Sequence, residues 1–369
     1  MERVRFRSLD VFRGMTICLM IIVNTPGAGS APYPILDHAD WFGFTAADIV
    51  FPSFLFAVGN AMAFGRSGQM AAAEFWRKTL WRTAIILALG ILTYWFPFGH
   101  MTDQGWIMNS FSQTRLTGVL QRIALCYCFA AIAARYLDVR GLLALSAVLL
   151  FGYWALLLAS APTAEALTKT GNIGFAVDEF VFGQPHLYRR DHGFDPEGLL
   201  GTLPAIVNVI FGYLAGLYVR RQGASRPVAI RTLAAGTLLL VAALAWHPVF
   251  PIGKKLWTSS FVLLTAGIDL MVLAALVAWI DLGKRKFGMR FFEIFGRNPI
   301  FIYWVAMLLI MALRAIPAGG DNVWNWIGKG VMQPILPGPS GSLVCAMGFM
   351  LLCWLTAWAL DRKNIIIKV

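Results

Sequence analysis

The stretch TSSFVLLTAGIDLMVLAALVAWI, residues 258–280, carries a single charged side chain, Asp269. It is long enough to cross the hydrocarbon core of a bilayer as one helix. It does not stand alone. Similar apolar runs occupy Val11–Thr25, Thr45–Gly65, Trp81–Phe98, Thr117–Leu137, Leu142–Ser160, Thr202–Val219, Ile230–Trp246, Phe291–Leu313 and Ser342–Leu360. Across all 369 residues, 58% are hydrophobic and 14% charged, and the mean hydropathy is +0.67. An ordinary soluble domain has about 45–50% apolar and about 25% charged residues. These values exclude a disordered chain, a collagen-like chain and a disulfide-stapled miniprotein, and they argue against a water-soluble enzyme. The expected fold is all-α: a polytopic membrane bundle of about ten transmembrane helices. One domain spans residues 1–369, with an outer-face loop at about 161–201.

Lys and Arg set the orientation. With the N-terminus in the cytoplasm, twenty of the 31 basic residues fall in cytoplasmic segments and eight in outer ones. The split predicts N-in, C-in and an even helix count. The net charge of +12 is then mostly a topology signal, and nucleic acid is not an expected partner. The first run follows Arg3, Arg5 and Arg7, as in a signal peptide. However, Asn24-Thr25-Pro26-Gly27 is not a small-residue cleavage site, so the run is read as helix 1. All five cysteines lie inside apolar runs and none forms a CxxC pair, which points to packing rather than disulfides or zinc. The five histidines, His38, His100, His186, His192 and His247, all fall at the outer side or an outer helix end. Interfacial preference explains that placement, and so does an outward-facing polar site. The loop at 161–201 interleaves Asp178, Glu179, Tyr188, Arg189, Arg190, Asp191, Asp195 and Glu197 with Phe175, Phe180, Phe182, Leu187 and Phe194. Long loops of this kind are usually functional or disordered, and its apolar content predicts that it folds onto the bundle.

Polar side chains at membrane depth are costly, so each is a functional candidate. Asp10 and Arg13 share a face at the start of helix 1, where they either pair with each other or meet a ligand. Asn24, before a Pro-Gly break, is either a helix cap or a polar group of a site. His38 sits just before a helix N-terminus, whose dipole disfavours imidazolium. A neutral imidazole is the form that a general base or nucleophile needs. Asp48 either orients that base or pairs with a buried Arg. Gln121 and Arg122 lie inside helix 4, and a buried Arg requires an acid or a phosphate. Arg297-Asn298-Pro299 interrupts helix 9, and such a break frees backbone groups that must line protein or a water-filled cavity. No Walker A loop, HExxH or GxSxG is present, and the six-residue spacing of His186 and His192 is weak for a metal. No metal is expected.

Together these segments resemble the heparan-α-glucosaminide N-acetyltransferase family of transmembrane acyltransferases. The matching pieces are residues 8–14 (SLDVFRG), Val23-Asn24, residues 38–52 (HADWFGFTAADIVFP), residues 118–122 (GVLQR), His186-Leu187-Tyr188, residues 194–202 (FDPEGLLGT), residues 254–259 (KKLWTS) and residues 297–300 (RNPI). They occur in the family's order and cover most of the chain. The resemblance implies a compact, bacterial-type, multi-pass protein of the inner membrane, without the long lumenal extension of the lysosomal enzyme and often dimeric. It implies transfer of acetyl from cytoplasmic acetyl-CoA to the amine of glucosamine or a terminal amino sugar on the periplasmic side. A bacterial-type member points to free glucosamine, or to amino sugars from chitin or cell-wall turnover, rather than to heparan sulfate. It implies that His38 is the catalytic histidine and that Asn24 helps to position the reacting groups.

An amine attacking a thioester needs a base and a donor for the developing oxyanion. His38 is the expected base or a transiently acetylated nucleophile, Asn24 the donor and Asp48 the holder of the tautomer. Asp10, Arg13, Gln121, Arg122, Arg297 and Asn298 are the expected coenzyme A set, with the arginines facing its phosphates. Asp178, His186, Tyr188, Asp195, Glu197 and Trp257 are the expected sugar set, although Asp195-Pro196-Glu197 also reads as a helix start. Membrane lipid is a further expected partner. The competing reading is an amino-sugar transporter without acyl-transfer chemistry, which the helix breaks at Pro26, Pro52 and Pro299 also suit. A third is a transferase for another acyl donor or acceptor.

Overall fold

A computed structural model describes residues 6–65, 70–102, 105–189, 191, 193–284 and 288–367. Arg190, His192 and the basic residues counted for topology at positions 3, 5, 66, 285, 286 and 368 lie outside the described residues. The apolar runs become long helices: α1 (Arg7–Asn24), α2 (Ala46–Ala63), α3 (Ala72–Trp95), α4 (Val119–Tyr136) and α5 (Val139–Ser160). After a loop carrying α6 (Ile173–Phe182) come α7 (Leu199–Gln222), α8 (Arg226–Trp246) and α9 (Ser259–Leu276). The last of these runs on through a π-helical segment to Leu282. The bundle is completed by α10 (Met289–Arg297), α11 (Pro299–Ala315) and α12 (Pro339–Arg362). Among the described residues, seven helices are long and apolar enough to cross a membrane: α2, α4, α5, α7, α8, α9 with its extension, and α12. The pair α10 and α11, bent by 85° at Asn298, makes an eighth if it counts as one span. The helices α1 and α3 have comparable length, but their N-terminal halves carry several charged residues, Arg7, Asp10 and Arg13 in α1 and Glu74, Arg77, Lys78 and Arg82 in α3.

Close backbone approach holds this bundle together. A Cβ on Gly59 of α2 would strike the Val209 carbonyl of α7, and one on Gly212 would strike the Phe56 carbonyl in return. The helices α1 and α10 repeat the arrangement, with Gly14 against the Phe292 carbonyl and Gly296 against the Asp10 carbonyl. Small residues are the usual means of helix association where no water drives apolar groups together. A core of Ile17, Phe54, Leu55, Phe261, Phe295 and Ile302 fills the centre.

The helices leave two polar poles. At one, Gly43 N–H donates to the Ile252 carbonyl (2.7 Å) and Leu116 N–H to the His186 carbonyl (3.0 Å), which ties together the segments before α2, α4, α7 and α9. At the other, Arg220 reaches the Ala63 carbonyl (2.6 Å) and Arg135 the Met70 carbonyl (2.8 Å). The loop at 161–201 is more ordered than its sequence suggests, because α6 is capped by the Asn172 side chain. The loop folds onto the first pole through buried Leu187 and Phe194 and a hydrogen bond from Trp41 Nε1 to the Leu167 carbonyl (2.8 Å). Phe180, on that helix, stays exposed.

Candidate active site

The stretch 37–48 builds the first pole around one carboxylate. Thr45 and Asp48 form a capping box at the start of α2, a pattern that satisfies otherwise unpaired helix donors. Asp48 Oδ2 accepts from the backbone N–H of Thr45 (3.0 Å) and of Ala39 (3.1 Å). The other oxygen, Oδ1, lies 2.8 Å from His38 Nδ1. The Asp48 side chain is wholly buried, while that of His38 is 39% exposed. A carboxylate at Nδ1 assigns the proton to that nitrogen and leaves Nε2 with a lone pair. The exposed ring is therefore an oriented base reachable from outside.

Lys254 completes the group. Its Nζ is 3.0 Å from His38 Nδ1, 3.3 Å from Nε2 and 3.4 Å from Asp48 Oδ1. Burial pulls its ammonium below the usual lysine range, against the opposing pull of Asp48 and Glu197. Sequence reasoning quoted Lys254 as part of a stretch but gave it no role. Asn24 ends α1 with its side chain exposed, and among the described residues no hydrogen bond joins it to His38, Asp48 or Lys254.

The six residues expected to meet sugar are brought to the same pole, largely as frame. Asp195 accepts from Arg115 Nε (2.9 Å), Thr117 and Tyr188 N–H (3.1 Å). Arg115 also holds Glu197 (2.6 Å) and lies over the rings of Tyr94 and Tyr188. Burial opposes the charge of Asp195, but Arg115 and Thr117 hold its carboxyl below the usual range. His186 Nδ1 meets the Thr114 carbonyl (2.6 Å). Asp178 caps α7 through Leu199 N–H (2.8 Å), and burial pushes its carboxyl up to about 6. Trp257 is buried and donates to Asn208 Oδ1 (3.1 Å). Arg115 and Thr117 were missed, because their partners lie some eighty residues away in sequence.

Arg122 differs most from expectation. It does not join Arg13 and Arg297, because α4 starts at the His38 pole and Arg122 is one turn in. Its side chain, 1% exposed, donates to the Gly198 carbonyl (2.9 Å) and lies 4.8 Å over Trp257. Its Nε and Nη1, and both polar atoms of Gln121, are buried and have no partner among the described residues.

Arg13, Arg297 and Asn298 do come together, at the opposite pole. They line a cavity of about 500 Å³ with Lys78, Arg82 and Tyr127, over the apolar face of α2 at Phe54–Ala61. Arg13 pairs with Asp10, and Arg297 with Asp361. The Asn298 amide is committed to the chain's end, donating to the Ile365 carbonyl (3.0 Å) and accepting from Ile367 N–H (2.8 Å). The Nε atoms of Arg13 and Arg82 are buried without a partner among the described residues, and Arg82 lies 4.5 Å over Tyr127. Lys78 and Arg82 had been counted only as topology charges, yet their i, i+4 spacing on α3 was legible.

The fold and site define a multi-pass membrane protein of the all-helical class, with a His–Asp pair at one end of the bundle and a cationic cavity at the other. The family model described as the catalytic region of heparan-alpha-glucosaminide N-acetyltransferase matches residues 5–173. The human protein named heparan-alpha-glucosaminide N-acetyltransferase is 26% identical over 359 residues, covering 81% of this chain and 52% of the relative. The mouse protein of the same name is 25% identical over 357 residues, covering 81% and 53%. The chain is thus similar to proteins of that family over its N-terminal part and to these relatives over most of its length, and it spans about half the length of the curated relatives it matches.

Proposed function

We propose that the protein transfers acetyl from acetyl-CoA to the amine of glucosamine or a terminal amino sugar, working across the bacterial inner membrane with the His38 pole outward. The observation that carries this reading is the His38–Asp48 pair, half-open to solvent on a fully buried carboxylate. Asp48 fixes the Nδ1–H tautomer. His38 Nε2 takes the proton of the attacking amine, which enters uncharged after shedding its extra proton to water. The cavity at the other pole suits the anionic end of the donor. Arg13 and Arg82 carry buried, unpartnered Nε donors there, and Lys78 and Arg297 add charge. Asn298 acts by holding the chain's end against that cavity. Near His38, the Arg115 cluster shapes the acceptor side, with Glu197 the carboxylate placed to meet an ammonium. Asn24 and Arg122 remain proposed contacts at the same outer end.

The test is a mixture of the purified full chain, acetyl-CoA and glucosamine in detergent, with free CoA and N-acetylglucosamine followed together. Stoichiometric release of both, lost in His38→Ala, supports the reading. Acetyl-CoA binding without transfer points to another amino-sugar acceptor. Neither binding nor transfer moves the weight to amino-sugar transport.

A further inference from the structure

Lys254 is held too firmly, and too near the base, to be an ordinary interfacial lysine. Its segment docks on the His38 loop through Gly43 N–H and the Ile252 carbonyl (2.7 Å). It is closed behind by Gly253 N–H to Thr258 Oγ1 (3.0 Å) and Trp257 N–H to the Lys254 carbonyl (2.9 Å). Trp257 adopts a positive φ of 55° to make that turn, a conformation that costs energy in a bulky residue and persists only when its surroundings impose it. The turn delivers one ammonium, 15% exposed, beside both ring nitrogens of His38. An ammonium has three donors, and Asp48 Oδ1 at 3.4 Å engages only one of them. The facing groups are His38 and Asp48 from the α2 side, Glu197 from the segment before α7, and Lys255 from its own segment.

We propose that Lys254 is the oxyanion donor of the acyl transfer, an inference that rests on the acetyltransferase reading above. As the amine nitrogen bonds to the thioester carbon, the carbonyl π pair moves onto oxygen, and a Lys254 N–H meets it. His38 Nε2 takes the amine proton. The tetrahedral species collapses, the C=O re-forms, the C–S bond breaks, and the thiolate leaves with the proton from His38 as free CoA. With Nζ 3.3 Å from Nε2, a carbonyl under attack by an amine held at Nε2 can turn its oxygen toward Nζ. Nζ lies nearly equidistant from the two ring nitrogens, beside the ring and off the Nε2 lone-pair axis, so that lone pair stays open to the amine.

The test compares Lys254→Met, Lys254→Arg and His38→Ala in the full chain in detergent, with acetyl-CoA and fluoroacetyl-CoA as donors. Loss of one oxyanion donor lowers kcat by about 10²–10³-fold, so that fall is expected in Lys254→Met, with KM for donor and acceptor nearly unchanged. Fluorine withdraws electrons from the forming oxyanion, so the defect shrinks at least about tenfold with fluoroacetyl-CoA. A purely structural lysine would slow both donors alike. Lys254→Arg keeps a cationic donor and is expected to recover at least about tenfold over Lys254→Met. A Lys254→Met kcat within tenfold of the parent, or an equal defect with both donors, overturns the inference while leaving His38 in place. Full turnover by His38→Ala sinks the base assignment instead. No transfer by the parent chain from either donor removes both.

Discussion

Asp48→Asn separates chemistry from scaffolding because the two carboxylate oxygens have different duties. Oδ2 accepts both backbone N–H groups, from Ala39 and Thr45. Oδ1 faces His38 Nδ1. An Asn side chain with its oxygen in the Oδ2 position keeps both backbone bonds and the cap of α2. Its NH2 group then points at Nδ1 and donates to it, which moves the imidazole proton to Nε2 and removes the lone pair that accepts the amine proton. General-base catalysis contributes about 10²–10⁴-fold, equal to about 3–5.5 kcal/mol of barrier at about 1.4 kcal/mol per tenfold. The expected result is a fall in kcat of that size, with folding little changed. Asp48→Ala is the contrast, since it strands His38 and two backbone donors at about 1–3 kcal/mol for each buried group and should lower thermal stability in detergent. The assay is continuous thiol release from acetyl-CoA, beside a melting curve for each variant. An Asp48→Asn enzyme with kcat within about fivefold of the parent, while His38→Ala is inactive, would refute the tautomer argument.

Arg82→Gln should weaken acetyl-CoA binding by about 10–100-fold, since a hydrogen bond to a charged group contributes about 1.5–3 kcal/mol, and by less at high salt; an unchanged titration isotherm excludes the phosphate role. Gly59→Leu forces a side chain against the Val209 carbonyl and Tyr213 backbone, and overpacking of about 1–3 kcal/mol or more should lower Tm measurably; an unaltered melt would mean that α2 and α7 separate freely. Asp178 is pushed up to about 6 by burial, above about 3.9 for a free Asp. The folded state therefore binds more protons between those values, and stability falls as pH rises through them. Asp178→Asn keeps the Leu199 N–H bond and removes the ionisation, so its stability advantage should appear between about pH 4 and 6 and reach about 2–3 kcal/mol at neutrality; equal pH profiles of Tm for both proteins would contradict this.

The helices were legible because bilayer-length apolar runs admit few alternatives, and the break at Asn298-Pro299 was legible because proline cannot continue the hydrogen-bond ladder. The Thr45–Asp48 cap and the neighbouring His38 are local in sequence, so their chemistry was readable too. What stayed hidden was long-range. Arg115 pairs with Asp195 and Glu197 across a loop whose path no periodicity encodes. Lys254 reaches His38 across more than two hundred residues. Arg122 illustrates another limit: its type predicted burial against a partner, but its depth follows from which pole α4 starts at. Since α4 starts beside the Arg115 cluster, Arg122 faces Trp257 rather than the cationic cavity.

The two poles are linked by the helices that line both. On α2, Asp48 lies at one end and the cavity-lining segment Phe54–Ala61 runs toward the other. The whole of Ala46–Ala63 spans about 27 Å at 1.5 Å per residue. On α4, Gln121 and Arg122 lie near the His38 pole and Tyr127 lines the cavity, about 8–9 Å farther along the axis. Gln121 and Arg122 hold buried donors and an acceptor with no partner among the described residues. Each such group costs about 1–3 kcal/mol if nothing meets it, and a bundle selected for stability alone would carry apolar side chains there. Their presence is explained if a slender polar chain, or the water that precedes it, occupies the space between the poles. On the proposed function, the amide-bearing pantetheine arm of acetyl-CoA is such a chain, and it would run from phosphates at Arg13 and Arg82 to a thioester near His38. A transporter for a free amino sugar has no corresponding need for paired arginines at one end and an oriented base at the other.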